Sequence, residues 1–139
     1  MKAYLIDPKE KTITEVNYGG DWRTISQHCD CNTLDMVRLN DQHDSVYVDD
    51  EGLLNGAAER DGVFMLTFAS PVGEPRRVPI AGKGLVLGHD LMGDSADCRM
   101  SLADLQAMVT FPNDQLIART LMRASAENNS PEGVDKAPN

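Results

Sequence analysis

The stretch SVYVDDEGLLNG, residues 45–56, carries the strongest local signal in the chain. Its residues 46–48, Val-Tyr-Val, fit the half-buried pleated surface of a β-strand, because branched and aromatic side chains pack well there. Residues 49–52, Asp-Asp-Glu-Gly, form an acidic turn. The two leucines at 53–54 return from it to a second turn at Asn55-Gly56, where both residue types tolerate a positive φ. The stretch therefore predicts a central β-hairpin.

The residues before this stretch predict a second hairpin and a short helix. Residues 3–18 contain an apolar run, a Pro-containing turn and an alternating run, which together are typical of an antiparallel hairpin. Asp21 is a good N-cap for a helix that ends near His28, with Trp22 and Ile25 on one face. The next apolar residues, 34–39, suggest a further strand.

The residues after the central stretch predict two more strands and two helices. Residues 63–68, the most hydrophobic run, and residues 85–87 have the length and bounding turns of buried strands, while Pro79 indicates an edge or a strand start. Ser101, followed by apolar residues at helical spacing, begins a helix. A second helix is predicted over residues 114–128.

These elements define the expected fold class. We expect an α+β fold with a mostly antiparallel sheet, an N-terminal β-hairpin, one short helix and two C-terminal helices, because no regular alternation of strands and helices supports a doubly wound fold. Residues 1–129 form a single domain in this interpretation. Residues 130–139, which contain two prolines and almost no apolar side chains, are expected to be a disordered tail.

Charge and cysteine content narrow the range of functions. The 139 residues carry a formal net charge of −9, with a sequence pI near 4.6. Such a balance disfavours direct binding to nucleic acid and to anionic membranes, although it suits a basic groove on another protein. The odd number of cysteines (Cys29, Cys31 and Cys98) and the absence of a signal-peptide pattern predict a cytoplasmic protein with reduced thiols. We expect no cofactor.

Five carboxylates within eleven residues form the first candidate site, and they are expected to bind a partner protein: Asp41, Asp44, Asp49, Asp50 and Glu51. Their spacing is not that of a calcium-binding loop, which alternates acids before a glycine and ends on a glutamate. A solvated acidic turn is the alternative interpretation.

A basic segment forms the second candidate site. Arg76, Arg77 and Lys83 surround a glycine-rich strand entry that fails the Walker pattern but could bind a small anion such as a nucleotide phosphate, with Tyr47 or Phe64 stacking on the base. A zinc site built on the sequence His28-Cys29-Asp30-Cys31 is disfavoured, because it lacks the second pair of ligands that structural zinc sites use. No metal site is therefore predicted.

The central stretch also carries a resemblance to a known group of proteins. Residues 46–56, followed by Ile80-Ala81-Gly82-Lys83-Gly84-Leu85-Val86-Leu87-Gly88 and a helix that begins at Ser101-Leu102, resemble a family of short uncharacterised proteins of bacteriophages, plasmids and other mobile elements. The similarity covers about residues 1–110. It implies the N-terminal hairpin and the strand–acidic turn–strand core, and it implies no established activity.

Three functional hypotheses follow. The first is a non-enzymatic accessory protein of a phage or mobile element that inhibits a host defence system, of the anti-CRISPR or anti-restriction type, by binding a host protein through its acidic surface in the host cytoplasm. The second is a small-molecule sponge for a signalling nucleotide. The third, weaker hypothesis is a metal-dependent hydrolase. Exposed sheet edges also allow a homodimer.

Overall fold

The structure is a computed structural model that describes residues 1–21, 23–29, 33–51, 56–69, 72–116 and 120. The described residues form nine strands and three short helices. In chain order these are β1 Lys2–Asp7, β2 Thr12–Asn17, α1 Arg23–Cys29, β3 Leu34–Arg38, β4 Asp44–Asp49, α2 Ala57–Asp61, β5 Val63–Phe68, β6 Arg76–Ala81, β7 Gly84–His89, β8 Ser95–Ala96, α3 Leu102–Met108 and β9 Val109–Thr110. The expected mixed fold with a mostly antiparallel sheet is confirmed.

The larger sheet has the strand order β2-β1-β7-β4-β3, and the short strand β8 also pairs with β7. All these pairs are antiparallel. Five of the six residues of β7 are buried, and the sixth, His89, is half-buried. A strand that is paired on both edges and packed on both faces usually has a continuous run of apolar residues. This position explains the sequence of β7, Gly-Leu-Val-Leu-Gly-His.

The smaller sheet has the order β6-β5-β9. The predicted edge position of Pro79 is confirmed, because β6 is an edge strand in which Pro79 pairs with Met65. Beyond the two residues of β9, the side-chain amide of Gln115 continues the pairing with β5. It accepts a hydrogen bond from the Val63 amide at 2.8 Å and donates one to the Val63 carbonyl at 3.2 Å.

The main core lies between the two sheets. Val46, Val48 and Val86 of the larger sheet pack with Phe64 and Leu66 of the smaller one, and α3 adds Leu105. Close approach of the sheets requires a glycine at position 84, since a Cβ there would lie 2.8 Å from Cγ2 of Val46 and 3.1 Å from Cζ of Phe64.

The opposite face of the larger sheet forms a second core under α1. Alternate residues of β7, Leu85 and Leu87, point to this side and pack with Ile25 and Cys29 of the helix and with Tyr18. Among the described residues, helix α1 covers only part of this face, and the part toward the end of β7 carries a surface groove lined by Ser45, Tyr47 and His89 among others.

Several local predictions are confirmed. The N-terminal hairpin is present as β1 and β2. Asp21 caps α1, because its carboxylate accepts a hydrogen bond from the Arg23 amide at 3.0 Å, and Ser101 caps α3 by accepting one from the Asp104 amide at 3.1 Å. Both caps satisfy amides at a helix start that would otherwise have no partner.

Other predictions are wrong or lie outside the described residues. The predicted strand over residues 46–48 is present in β4, whose described neighbours are β3 and β7, and the predicted return of the central hairpin at residues 53–54 lies outside the described residues. The residues after the acidic turn lead to α2, which was not predicted. Of the second C-terminal helix, predicted over residues 114–128, residues 115, 116 and 120 are helical and Asp114 is not, while residues 117–119 and 121–128 fall outside the described residues, as do Trp22 and the tail at 130–139.

Candidate functional site

Asp44, one of the five predicted partner-binding carboxylates, is completely buried. Its Oδ1 accepts a hydrogen bond from the Arg99 amide at 2.8 Å, and its Oδ2 accepts from the Met100 amide at 3.0 Å and from Nδ2 of Asn40 at 2.9 Å. A buried carboxylate needs such partners to offset the loss of water. Asp44 therefore joins β4 to the segment before α3 and cannot contact a partner protein.

Asp49 is also buried, but it sets the position of the acidic turn. Its Oδ1 accepts a hydrogen bond from the Glu51 amide at 2.8 Å, an arrangement that fixes a turn locally. Asp50 and Glu51 are exposed, and the Glu51 carboxylate accepts a further hydrogen bond from the Thr33 hydroxyl at 3.2 Å. Two of the five predicted residues, Asp50 and Glu51, thus form one exposed acidic pair.

The structure does not bring Asp41 to this pair. Asp41 lies before the start of β4 and Asp50 after its end, and the strand of six residues between them is about 17 Å long at about 3.3 Å per residue step. Asp41 is fully exposed and lies 3.9 Å from the guanidinium of Arg38, the distance of a weak surface ion pair.

The neighbouring edge strand supplies a carboxylate that the sequence analysis missed. Asp35 of β3 is exposed and lies in register with Val48 of β4, two residues before Asp50. We call Asp35, Asp50 and Glu51 the acidic corner. Among the described residues, none of these three carboxylates takes part in an ion pair. Strand pairing, which a local sequence pattern does not reveal, creates this corner.

The residues of the predicted nucleotide site are far apart in the fold. Tyr47 lies on the α1 side of the larger sheet, whereas Arg76 and Arg77 lie on β6 of the smaller sheet. Phe64 is fully buried between the sheets and cannot stack on a ligand. The guanidinium of Arg76 lies over the ring of Phe68 instead, 5.0 Å from its centroid.

The glycine-rich strand entry also has fewer free backbone amides for an anion than the sequence predicts. The Gly82 amide donates to the Gly62 carbonyl at 2.9 Å, and Gly84 is paired with Ile6 in the sheet. The Gly82 amide, one of those that an anion would need, is therefore already engaged, so the segment around Lys83 does not offer the fully open set of amides on which phosphate loops depend.

A groove of about 410 Å³ lies on the open part of the larger sheet. The sheet groove, as we call it, is lined by Met36, Arg38, His43, Ser45, Tyr47, His89 and Gly93. The Tyr47 hydroxyl and Nε2 of His89 are hydrogen-bonded at 2.9 Å, and burial raises the pKa of Tyr47. Its charged lining side chain is the cation Arg38, in a chain with a net charge of −9.

A turn with exposed apolar side chains borders the groove. Residues 90–94, Asp-Leu-Met-Gly-Asp, join β7 to β8, and we call them the apolar turn. Leu91 is 93% exposed and Met92 is 85% exposed. The sequence alone does not predict this exposure, because apolar residues in a short run give no signal that distinguishes an exposed turn from a buried one.

The thiols and histidines do not assemble into a metal site in the described part of the chain. No group of three or more His, Cys, Asp or Glu side chains there is placed to hold a metal ion. Cys29 and Cys98 are both buried, in different clusters of the core. Burial raises the pKa of Cys98 to about 11, so its thiol is protonated at neutral pH. Cys31 lies outside the described residues.

Fold and surface together define a small two-sheet α+β domain in which an open sheet face lies beside an exposed turn. The chain belongs to the family described as Domain of unknown function (DUF3846), whose model matches residues 1–110. No curated protein and no solved structure matches the chain at a significant level. The expected membership in an uncharacterised domain family is confirmed, and the matched range includes all nine described strands.

Two further observations concern the end of the matched range and the length of the helices. Gln115, which pairs with β5, lies beyond the range that the family model matches. Within the described ranges, no helix is long and apolar enough to cross a membrane.

Proposed function

We propose that this chain is an accessory protein of a phage or other mobile element that inhibits a host defence system by binding a host protein. It acts without catalysis, in the host cytoplasm, and its contact is acidic. The observation that carries the proposal is the acidic corner, in which three exposed carboxylates lie together at one end of the larger sheet. Such a surface complements a basic groove that normally holds nucleic acid.

The arrangement of the acidic corner supports this proposal in one further respect. Asp49 holds the backbone of the acidic turn through the Glu51 amide, and the Thr33 hydroxyl holds the Glu51 carboxylate. A preorganised acidic turn loses little conformational freedom when it meets a basic partner. The carboxylates also remain exposed, so their attraction is sensitive to salt.

The experiment is an inhibition assay in bacterial cells. Cells that express the protein are challenged with phages that are restricted by defined CRISPR and restriction systems, and the efficiency of plating is compared with that of cells without the protein. Lysates from the same cells are used for a pull-down at low and high salt, to identify the bound component. A defence component that is released at high salt, together with increased plating, is the expected result.

The matched variants isolate the acidic corner. Asp50→Asn with Glu51→Gln removes two exposed charges from it, whereas Glu10→Gln with Glu74→Gln removes two exposed charges elsewhere on the surface. We expect the first pair to weaken inhibition by about tenfold or more and the second by less than about twofold, as for central and peripheral charges of an interface. Equal losses, or inhibition that survives both changes, would contradict the acidic contact.

Nucleotide sequestration is the second candidate, and Tyr47 beside Arg38 and His43 in the sheet groove is the observation that favours it. The groove has a volume within the usual range of ligand sites. A thermal-shift screen with cyclic and linear nucleotides tests it, because a ligand that binds only the folded state raises the melting temperature. No shift with any nucleotide would remove this candidate.

A further inference from the structure

The backbone of the apolar turn is fixed by hydrogen bonds although its side chains are exposed. The Asp90 carboxylate accepts hydrogen bonds from the Met92 amide at 2.9 Å and the Asp94 amide at 3.0 Å. The Asp90 amide donates to the Asp94 carbonyl at 2.9 Å, and the Gly93 amide donates to the Asp90 carbonyl at 3.0 Å. Gly93 has a φ of 85°, which a residue with a side chain adopts only with strain. These hydrogen bonds fix the turn in a conformation that leaves Leu91 and Met92 exposed to solvent.

Two neighbouring, almost fully exposed apolar side chains on a fixed turn are unfavourable in an isolated monomer. Their apolar surface gains free energy when another surface removes it from water. Among the described residues, the other aliphatic side chains that are more than 60% exposed are Val72 at 84%, in the loop before β6, and Leu116 at 66%, and these two lie in separate segments of the chain. The apolar turn is thus the place on the described surface where two such side chains lie together.

The sheet groove has the complementary properties. Met36, which is 50% exposed, and the ring of Tyr47 provide apolar surface, and Arg38, whose side chain is 65% exposed, provides a cation. The apolar turn, in contrast, has Asp90 and Asp94 on either side of its two apolar residues. A concave surface with a cation therefore lies directly beside a convex apolar turn with flanking anions.

The turn cannot fill the groove of its own chain. Gly93 lines the groove, while Leu91 and Met92 are 93% and 85% exposed and make no close packing there. A projection beside a complementary depression on one face is self-complementary under a two-fold rotation, because each copy then offers what the other lacks.

We propose that a second copy of this chain occupies the sheet groove, in a two-fold symmetric dimer in which the apolar turn of each protomer enters the groove of the other. Leu91 and Met92 pack against Met36 and Tyr47, and Asp94 lies near Arg38. The contact is independent of the proposed inhibition through the acidic corner, since it uses neither Asp50 nor Glu51, whereas it occupies the groove of the nucleotide candidate. Small interfaces of less than about 1,200 Å² are usually weak, so the dimer forms in a concentration-dependent manner.

Sedimentation equilibrium over a wide range of protein concentration tests the apolar part of the contact. Leu91→Ser with Met92→Ser is compared with the wild type and with Val72→Ser, which removes another exposed apolar side chain from a different loop. We expect the double variant to raise the dissociation constant of the dimer about tenfold or more, and the control to change it by less than about twofold. Circular dichroism confirms that each variant is folded.

A charge exchange tests the orientation of the two copies. Arg38→Glu and Asp94→Arg are each expected to weaken the dimer about fivefold or more, and the combination of both is expected to restore it, because the pair is then reversed across the interface. The combination also leaves the net charge unchanged. Recovery of the dissociation constant to within about threefold of the wild type supports the proposed contact.

Three outcomes would overturn the proposal. One is a protein that remains monomeric at every concentration. Another is a dimer whose dissociation constant does not respond to the change of Leu91 and Met92, as pairing of exposed strand edges would give. The third is a doubly exchanged variant that dimerises no better than Arg38→Glu alone, which would show that Arg38 and Asp94 do not meet.

Discussion

The acidic turn, which carries two residues of the acidic corner, and the apolar turn each contain an aspartate whose carboxylate accepts a hydrogen bond from a nearby backbone amide, but one surface is charged and the other is apolar. In each, an aspartate at the end of a central strand accepts a hydrogen bond from the amide two residues later: Asp49, the last residue of β4, from Glu51, and Asp90, the first residue after β7, from Met92. The first turn exposes carboxylates and the second exposes Leu91 and Met92. The two turns share this one hydrogen bond, to which the apolar turn adds three more within residues 90–94, and the side chains that they expose differ in kind.

This comparison separates aspartates that hold the fold from those that form a surface. The carboxylates of Asp44, Asp49 and the exposed Asp90 accept hydrogen bonds from backbone amides, whereas those of Asp41 and Asp50 accept none from the described residues. Residue type does not distinguish these two groups. Only the position of each carboxylate relative to unpaired amides decides whether it contributes hydrogen bonds to the fold or stays available at the surface.

The largest effect is expected at Asp44. Asp44→Ala removes three hydrogen bonds to a fully buried carboxylate and leaves the amides of Arg99 and Met100 without partners, which should lower the free energy of unfolding by about 3 kcal/mol. Urea denaturation followed by circular dichroism measures this loss. Asp41→Ala, at an exposed position three residues earlier, is the control and should change stability by less than about 0.5 kcal/mol.

A loss of less than about 1 kcal/mol for Asp44→Ala would contradict the structural role of Asp44. It would also return this residue to the partner-binding surface that the sequence predicts. The urea dependence of unfolding should stay the same in both variants, since neither change alters the surface that unfolding exposes.

A smaller effect is expected at the two turn aspartates. Asp49→Ala should cost about 1–2 kcal/mol because Asp49 is buried, and Asp90→Ala should cost about 1 kcal/mol because Asp90 is exposed although it accepts two hydrogen bonds. Amide hydrogen exchange locates each change. Exchange should become faster at Glu51 in the first variant and at Met92 and Asp94 in the second.

The two variants also test whether the turns are independent. Each should leave the amide exchange of the other turn unchanged, because they lie at opposite ends of β4 and β7. Faster exchange at both turns in either variant would mean that they are coupled through the sheet, and the comparison between two separate surfaces would then fail.

Local signals in the sequence predicted the elements that depend on neighbouring residues. The hairpin of β1 and β2, the capping by Asp21 and Ser101, and the edge position of Pro79 all follow from residue types within a few positions. The burial of Asp44 could not be predicted, because the two amides that its carboxylate binds lie 55 and 56 residues away in the chain.

The candidate site was predictable only in part, for a related reason. Asp50 and Glu51 could be identified as a turn from composition, but Asp35 joins them through the pairing of β3 with β4. The sheet groove likewise combines residues from β3, β4 and β7, whose order depends on long-range pairing. The exposure of Leu91 and Met92 runs against the usual burial of their residue types, so no pattern of apolar residues could indicate it.

The smallest effect on stability is expected for the two exposed apolar side chains of the apolar turn. Leu91→Ser with Met92→Ser should change the free energy of unfolding by less than about 0.5 kcal/mol, because both side chains are almost as exposed in the folded monomer as in the unfolded chain. The measurement is urea denaturation at the lowest practical protein concentration, where association contributes least.

Leu87→Ala is the matched contrast: Leu87 lies on the strand that leads into the same turn and is fully buried, so truncation should cost about 3 kcal/mol. A loss above about 1 kcal/mol for the double variant would mean that Leu91 and Met92 pack within their own chain. The apolar turn would then be part of the fold like Asp44, and the acidic corner would remain the one surface of the two that is available for recognition.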